Sequence, residues 1–321
     1  MSSKYLDPKN DLAFKKIFGE EKHKRIPIAF LNAVFHLSGP DEIQDLEFLN
    51  TVQPPEIQAR KESIVDVLVR DQKGDKYVVE MQMSKIEGFE KRAQYYAAKT
   101  YCSHFNAGSP YWELKKVIFL AITSYIVFPD KQEYKSNHKI LDDQTYENDL
   151  KDFYFAFVEL PKFTKEIHEL KTLEEKWYYF LKHAEESKHP DQSLLSNEEI
   201  KEAYEVLDKT YWEEWELQEY DRVAMSIADA QGALLAAKNE GLAEGIEKGL
   251  AEGRQEGLAE GRQEGRQEGL VEGRFSIALS LLQMGLPAEQ ILKATELTSD
   301  EMEDLKKKAS KILTEELRRP N

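Results

Sequence analysis

Between residues 5 and 160, the chain changes repeatedly between helical and strand-like patterns of apolar positions. Apolar side chains recur every three or four positions over 12–19, where Asn10 or Asp11 would be the N-cap, and again over about 24–37. This spacing predicts two short helices. Runs rich in β-branched and aromatic residues predict strands. Those runs are 43–49, 63–70, 76–83, 115–123 and 153–158, with a further helix predicted over 88–106.

Residues 115–123 are almost wholly apolar, which is typical of a strand buried on both faces of a sheet. Three strands, a helix and another strand follow the first helices, and this order favours an α/β arrangement with the helix crossing over between strands. We therefore predict an α/β domain over 1–162, with a mixed sheet flanked by helices. Residues 153–158 are expected to complete the edge of that sheet.

Beyond Pro161 the strand-like runs end, and the rest of the chain is expected to be helical. Helices are predicted over 173–183, 196–211 and 213–238. We divide this part into an acidic helical region at 163–238, a four-residue repeat at 239–274 and a small helical cap at 275–321.

Nine glycines recur at every fourth position from Gly241 to Gly273, nearly always after a glutamate. An isolated helix of this kind is unfavourable, because each interior glycine costs about 1 kcal/mol relative to alanine and glutamates four residues apart repel. The glycine stripe turns by about 40° per repeat and winds around the helix with right-handed sense. The stripe permits close approach of another helix. The arginines of the repeat could then pair with glutamates of that helix. Self-association into a homo-oligomer and a flexible, partly helical linker both remain open.

The C-terminal cap contains three short helical patterns that are punctuated by Gly285 and Thr298. Their spacing is similar to that of a helix-turn-helix. The candidate recognition segment is acidic, whereas proteins that read the major groove normally present basic or amide groups. Its acids are Asp300, Glu301, Glu303 and Asp304. A helical interaction cap is therefore favoured over a DNA-reading one.

Three polar residues interrupt the apolar strands of a predicted hairpin: Asp66 in one strand, and Glu80 and Gln82 in the next. The turn residues 71–75 between these strands pair Arg70 with Lys76 and then Asp66 with Glu80, which places all three polar side chains on one face. Facing carboxylates repel each other unless a cation lies between them. Mg²⁺ prefers oxygen ligands and is commonly held by one or two carboxylates plus phosphate. The hairpin therefore predicts a divalent metal site.

The net charge of −16 disfavours nucleic acid as a partner, but it is unevenly distributed. Residues 184–221 hold 13 acidic and 3 basic side chains, a net charge of −10, whereas residues 1–183 carry only −2. Basic residues also flank the three polar positions of the hairpin. They are Arg60, Lys61, Lys85, Lys91, Arg92 and Lys99. A phosphate-binding site in the first domain is therefore compatible with the overall charge.

Cysteine usage and apolar runs bear on where the chain resides. The single cysteine, Cys102, excludes an internal disulfide framework and is expected to be a small buried residue on a helix. The first residues lack the apolar core of a signal peptide, and the longest apolar run, 117–128, is too short to span a bilayer. The histidines show no ligand spacing with cysteine, which argues against zinc. We expect a soluble, cytoplasmic protein with no membrane partner.

An acid followed 14 residues later by Glu80-Met81-Gln82, and then by a helix carrying Arg92, Tyr95 and Tyr96, resembles the PD-(D/E)XK nuclease superfamily. Together with the segment Asp11-Leu12-Ala13-Phe14-Lys15-Lys16-Ile17-Phe18-Gly19, the pattern is similar to the Rpn family of recombination-promoting nucleases, also called putative transposases. The similarity is strong over 5–160 and looser beyond, where the glycine-glutamate repeat also occurs in that family. It implies a restriction-endonuclease-like fold.

The resemblance implies phosphodiester hydrolysis of DNA with low sequence preference, in recombination or mobile-element biology. Asp66 and Glu80 would then bind Mg²⁺, or Mn²⁺ in its place, with the main-chain oxygen of Met81 as a further ligand. Gln82 stands where the superfamily has a lysine, and its amide can orient water or phosphate but carries no charge. Arg92, Tyr96 and Lys99 lie on one helical face and are candidate DNA contacts.

Each of these interpretations has a structural alternative. Asp66 and Glu80 could simply pair with Arg60, Lys61 or Arg92. Glu56 and Glu62 could reach the metal but are better explained as solvated loop charges, and Asp11 could be a helix cap or a catalytic acid. Helix packing explains Arg92, Tyr96 and Lys99 as well as DNA contact does. At the level of function, the alternative is a catalytically inactive DNA-binding or oligomerising assembly protein.

Overall fold

A computed structural model of the protein describes residues 3–53, 63–103 and 110–316. The chain divides into two compact units, Met1–Ala233 and Leu234–Asn321. The first contains every described strand. The strands are β1 (Leu46–Phe48), β2 (Val52–Gln53), β3 (Ser63–Ile64), β4 (Val67–Asp71), β5 (Lys76–Gln82), β6 (Val117–Thr123), β7 (Lys135–Lys139) and β8 (Phe153–Glu159). The helices are α1 (Asp11–Phe18), α2 (Arg25–Phe35), α3 (Phe89–Cys102), α4 (Leu173–His183), α5 (Gln192–Leu195), α6 (Glu198–Leu207), α7 (Glu214–Gln283), α8 (Ala288–Thr295) and α9 (Ser299–Glu316).

Six strands form one mixed sheet in the order β1-β4-β5-β6-β8-β7. Strands β5, β6 and β8 are parallel, and the outer pairings are antiparallel. All seven residues of β6 are buried, as the continuous apolar run predicts. The predicted α/β fold with a mixed sheet is confirmed.

The prediction that residues 153–158 complete the sheet edge is wrong. β7 lies beyond β8 and pairs with it antiparallel, with Ser136 opposite Phe157. Its sequence, Lys135-Ser136-Asn137-His138-Lys139, lacks the apolar alternation of a strand and is polar, as the exposed edge of a sheet favours. Its strand conformation therefore comes from the pairing with β8 and not from local sequence preference.

The hairpin between β4 and β5 has the predicted register, with Arg70 opposite Lys76 and Val67 opposite Val79. Asp71 Oδ1 accepts from the main-chain N–H groups of Lys73 and Asp75, which fixes the turn. The predicted strand over 63–70 is interrupted, because the chain bends at Asp66 and the short β3 before it pairs with β2 in a separate two-stranded sheet.

The two faces of the large sheet are covered differently. α3 packs on one face through Phe89, Ala93 and Ala97, which contact apolar side chains of β4, β5 and β6. The other face carries the main core, formed with α1, α2, α4 and α6. Its largest members are aromatic and fully buried. They include Phe14, Phe18, Phe30, Trp177 and Phe180. The acidic helical region therefore supplies part of the core of the first unit.

Cys102 is exposed, so the expectation of a buried cysteine is wrong. It is the last residue of α3, whose buried positions are Phe89, Ala93, Ala97 and Thr100. These positions are three or four residues apart and form the stripe that faces the sheet. Cys102 lies off that stripe.

α7 continues without a break from Glu214 to Gln283, so the residues predicted as a separate helix and the glycine repeat form one helix. All residues over 241–273 are helical, in contrast to a partly helical linker. In the second unit, Ala278, Ile291, Leu297, Met302 and Leu305 form a small core that joins the end of α7 to α8 and α9. No helix among the described residues is long and apolar enough to cross a membrane.

Candidate active site

Asp66 lies at the bend where β4 begins, one position before the paired residue Val67. Its Oδ2 accepts a hydrogen bond of 2.9 Å from the main-chain N–H of Met81. Its Oδ1 is 3.4 Å from the Nζ of Lys15. Burial raises the pKa of Asp66, whereas the Lys15 ammonium and the Met81 N–H act in the opposite direction. The carboxylate is therefore fixed by one strand and faces a cation from helix α1.

Glu80 lies within β5 and is only 2% exposed. Its Oε2 is 3.4 Å from a guanidinium nitrogen of Arg92, whereas its Oε1 has no hydrogen-bond partner among the described residues. Burial and, to a smaller extent, the neighbouring Asp66 charge raise the pKa of Glu80 to about 8. An unpartnered buried carboxylate oxygen is costly, so a ligand is expected at Oε1.

Helix α3 supplies Arg92, which pairs with Glu80. Gly88 precedes the helix with φ of 72°, a conformation that glycine adopts without strain. The Arg92 guanidinium lies 5.8 Å from the Phe89 ring centre and 5.1 Å from that of Tyr96. Such contacts with aromatic faces hold the guanidinium in place. The predicted face of α3 therefore brings Arg92 and Tyr96 to the site, while Lys99 lies in the last turn, about two turns beyond Arg92.

Gln82 follows Glu80 on the same face of β5, but its amide is engaged locally. Its Nε2 donates a hydrogen bond of 3.1 Å to the main-chain oxygen of Ser84. Its main-chain oxygen accepts from the N–H of Ser124, beside the parallel strand β6. Gln82 thus lies at the end of the strand that carries Glu80. Its side-chain amide, which could otherwise donate to a substrate, donates to Ser84 of the same chain.

Two residues of helix α1 complete the charged surroundings of the site. Lys15 is paired with Asp66, and the charge of Asp11 raises the pKa of both Asp66 and Glu80, whose main shifts come from burial. They are four residues apart and so lie on one face of the helix. Sequence reasoning placed both within a family-like segment but gave Lys15 no role. The available signal was their position beside the apolar stripe of Ala13, Phe14, Ile17 and Phe18.

The structure resolves some of the alternatives. Asn10 is the N-cap of α1, because its side chain accepts from the N–H of Leu12. Asp11 is therefore the first helical residue and not the cap. Glu80 does pair with Arg92, one of the structural partners considered, and Asp66 pairs with Lys15. Glu56, Arg60, Lys61 and Glu62, and the loop that contains Pro54 and Pro55, lie outside the described residues.

The residues present fit a divalent metal. Two carboxylates of adjacent strands approach each other, and one of them has a buried oxygen without a hydrogen-bond partner among the described residues. Met81, whose N–H donates to Asp66, directly follows Glu80 and could offer its main-chain oxygen. No group of three or more His, Cys, Asp and Glu side chains suitable for a metal exists among the described residues. A site with two carboxylates matches Mg²⁺, which retains several waters and takes further oxygens from a substrate phosphate.

Comparison with known proteins agrees with this arrangement. A family model described as "PD-(D/E)XK nuclease family transposase" matches residues 8–237, which is more than half of the chain. The matched region includes α1, the large sheet and α3. No curated protein and no solved structure matches the chain.

Proposed function

The chain belongs to the PD-(D/E)XK nuclease family transposases, and on this basis we propose that it is a Mg²⁺-dependent endonuclease that hydrolyses DNA with little sequence preference. The observation that carries this proposal is the buried Glu80, whose Oε1 has no hydrogen-bond partner in the described part of the chain and whose neighbour is the Asp66 carboxylate. Two acids forced together in this way are stabilised by a divalent cation.

The residues of this chain have distinct roles in the proposed reaction. Asp66, Glu80 and the main-chain oxygen of Met81 hold the metal, and the Met81 N–H keeps the Asp66 carboxylate oriented. Bound Mg²⁺ would polarise the phosphate and lower the pKa of a coordinated water. In the hydrolysis itself, a water oxygen bonds to phosphorus, one ester P–O bond breaks, and the departing oxygen takes up a proton. Mn²⁺ has the same ligand preference and is expected to substitute.

DNA contact is proposed for Arg92, Tyr96 and Lys99 on helix α3. Arg92 lies at the carboxylates, and its side chain is 31% exposed although it pairs with Glu80. A guanidinium between a carboxylate and the solvent can also contact a backbone phosphate. Contacts with phosphate position a duplex without reading its sequence, which agrees with low sequence preference.

The biological setting and the assembly are parts of the same proposal. The family description supports an association with mobile elements or recombination. We further propose that the protein works as a homo-oligomer through residues 241–273 of α7. The exposed glycines and leucines of this stretch support this, because they leave an open face on the helix.

The proposal is tested by incubating purified protein with supercoiled plasmid across a range of Mg²⁺ and Mn²⁺ concentrations. A reaction with EDTA is the metal-free control. We expect relaxed or linear product only with the metal, and equal cutting of plasmids of unrelated sequence. A parallel assay with single-stranded RNA of the same sequence separates a deoxyribonuclease from a ribonuclease.

The second candidate function is a catalytically inactive DNA-binding or assembly protein, and the engaged amide of Gln82 favours it. The same preparation distinguishes the two in a DNA mobility-shift assay. Binding of the plasmid without cleavage at any metal concentration would support the inactive protein and contradict the endonuclease.

A further inference from the structure

We propose that Lys15 of helix α1 supplies the catalytic cation of this site, in place of a lysine at position 82. This inference rests on the proposed nuclease function and assigns the residue that contacts the reacting phosphate. It explains how a chain with glutamine at position 82 retains the positive charge that phosphodiester cleavage requires.

Besides the metal, a cationic side chain would stabilise the negative charge that grows on the phosphate oxygens as water adds to phosphorus. The Gln82 amide has no charge to offer, and its Nε2 already donates to the Ser84 main-chain oxygen at 3.1 Å. The cation must therefore come from another element that reaches the two carboxylates.

The position of Lys15 meets this requirement. Its Nζ is 3.4 Å from Oδ1 of Asp66, and its charge also lowers the pKa of Glu80 against the larger effect of burial. The side chain is 41% exposed, whereas that of Asp66 is 12% exposed. The Lys15 side chain is thus accessible to solvent while its ammonium contacts Asp66, so that a substrate phosphate could reach it.

Helix α1 holds Lys15 firmly enough for this role. Asn10 caps the helix, and Phe14 and Ile17 on either side of Lys15 are fully buried in the main core. Lysine is flexible, but its main chain is fixed by these contacts, and its three donors can serve Asp66 and a phosphate oxygen together.

Arg92 is the other cation at the site, and its surroundings suit a different task. Its guanidinium lies between the rings of Phe89 and Tyr96 and pairs with the buried Glu80. Removing such a partner would leave a buried carboxylate uncompensated. Arg92 therefore stabilises the acid, and among the residues that the structure describes Lys15 is the cation that faces the reacting groups.

In the proposed step Lys15 forms no covalent bond and transfers no proton. Its ammonium donates a hydrogen bond to a non-bridging phosphate oxygen while a water oxygen bonds to phosphorus and the ester bond breaks. Loss of one such donor to developing charge typically costs about 10²- to 10³-fold in rate.

The test compares single-turnover cleavage of a short DNA duplex by the wild type, Lys15→Met, Lys15→Gln and Lys15→Arg. Lys22→Met is the matched control, because Lys22 is an exposed lysine that pairs with Glu20 outside the site. We expect both neutral variants to lose about 10²-fold or more in rate, Lys15→Arg to lose less, and the control to match the wild type.

The decisive variant combines Lys15→Met with Gln82→Lys. It moves the cation from helix α1 to position 82, at the end of strand β5. We expect it to recover at least about tenfold in rate over Lys15→Met alone, since the charge again reaches the phosphate. Circular dichroism and isothermal titration with Mg²⁺ provide readouts besides activity. They should show that Lys15→Met and Lys15→Gln remain folded and still bind the metal.

Several outcomes would overturn the inference. If the neutral variants cut within about threefold of the wild type while Asp66→Ala does not cut, the nuclease function stands and Lys15 is not its cation. If they lose both activity and Mg²⁺ binding and Gln82→Lys restores neither, Lys15 only positions Asp66. If the wild type itself does not cut any duplex, the proposed function fails and this inference fails with it.

Discussion

At the scale of single residues, Glu80 determines much of the behaviour of the site. Its Oε1 is buried, with no hydrogen-bond partner among the residues that the structure covers, and burial raises its pKa to about 8. In the absence of metal the ionised form of this carboxyl opposes folding, because it is desolvated and lies beside the charge of Asp66.

Metal binding should therefore be visible as a gain in stability that depends on Glu80. A ligand that binds only the folded state adds about 2.7 kcal/mol to the free energy of unfolding at 100 times its dissociation constant. We expect Mg²⁺ to raise the melting temperature of the wild type, and Glu80→Gln to abolish that rise. Calorimetry with and without Mg²⁺ measures it, with Asp41→Ala, an exposed acid paired to Lys73, as the control that keeps the rise. An unchanged rise in Glu80→Gln would exclude Glu80 as a ligand.

A second buried charge, Lys76, gives a prediction about pH. Its Nζ donates to the main-chain oxygen of Thr100 in the last turn of α3, and burial lowers its pKa from 10.5 to about 8. Between these values the unfolded chain binds more protons than the folded one, so the stability contributed at this position increases with pH. Below about pH 8 the penalty for the buried charge is constant.

The comparison that isolates this effect is the wild type against Lys76→Met. We expect the free energy of unfolding of the wild type to increase relative to the variant as pH rises from about 8 to 10.5. Urea unfolding across that range measures the difference. A difference that stays constant or moves in the opposite direction would mean that Lys76 is not desolvated as described.

The site residues differ in how far the sequence reveals them. Asp66 and Glu80 are identifiable because an acid within an apolar strand is costly and because hairpin register relates the two positions. The contact of Lys15 with Asp66 joins residues 51 positions apart through the packing of a helix against a strand end. No local sequence pattern predicts that contact. The spacing of four residues does predict that Asp11 and Lys15 lie on the same face of α1, beside its apolar stripe.

At the scale of elements, helix α1 is the support on which the inference about Lys15 depends. Asn10 is 2% exposed, its side chain accepts from the Leu12 N–H, and its Nδ2 is 3.4 Å from the main-chain oxygen of Tyr220. Replacing an N-cap by alanine typically costs about 0.5–2 kcal/mol. The cap therefore fixes both the start of α1 and its contact with α7.

We expect Asn10→Ala to lower the free energy of unfolding by about 1–2 kcal/mol, and to reduce cleavage because Lys15 is less well positioned. Chemical denaturation and the duplex assay measure these two effects on one preparation. Asn10→Ser retains a capping oxygen and should lose less of both. An alanine variant as stable and active as the wild type would show that the cap does not support the site.

Some strands are determined by their local sequence, and others form only because they pair with a neighbouring strand. β5 and β6 follow from their apolar runs, and the register of the hairpin follows from its turn. β7 could not be predicted, because a polar strand at a sheet edge forms through its bonds to β8. The break at Asp66 likewise arises because β3 pairs with β2. The apolar run over 63–70 does not predict this pairing.

At the scale of the whole molecule, the glycine repeat in α7 is a feature against which none of the described residues packs. At all nine repeat glycines, nothing among the described residues lies within 4 Å of where a Cβ would be. The described residues therefore give these glycines no packing role, and alanine would favour the helix by about 1 kcal/mol at each position. Close packing of a second helix would explain the glycines, because a residue without a side chain lets two helix backbones approach each other.

The expected result of replacing Gly253, Gly257, Gly261 and Gly265 by alanine is a protein that is more helical but less associated. The added methyl groups strengthen the helix and obstruct close approach of another chain. Multi-angle light scattering and circular dichroism on the full-length protein measure both properties. A wild type that is monomeric at micromolar concentration, or a variant with unchanged mass, would contradict self-association through this stretch.

Whether Asp66 and Glu80 form a metal-dependent phosphodiesterase site is decided by comparing plasmid cleavage by the wild type and by Asp66→Ala. With Mg²⁺, the wild type should convert supercoiled DNA to relaxed or linear product, while Asp66→Ala, equally folded by circular dichroism, should leave it intact. EDTA should make the two proteins indistinguishable. If the wild type cuts no faster than Asp66→Ala across Mg²⁺ and Mn²⁺, these carboxylates do not form a catalytic site.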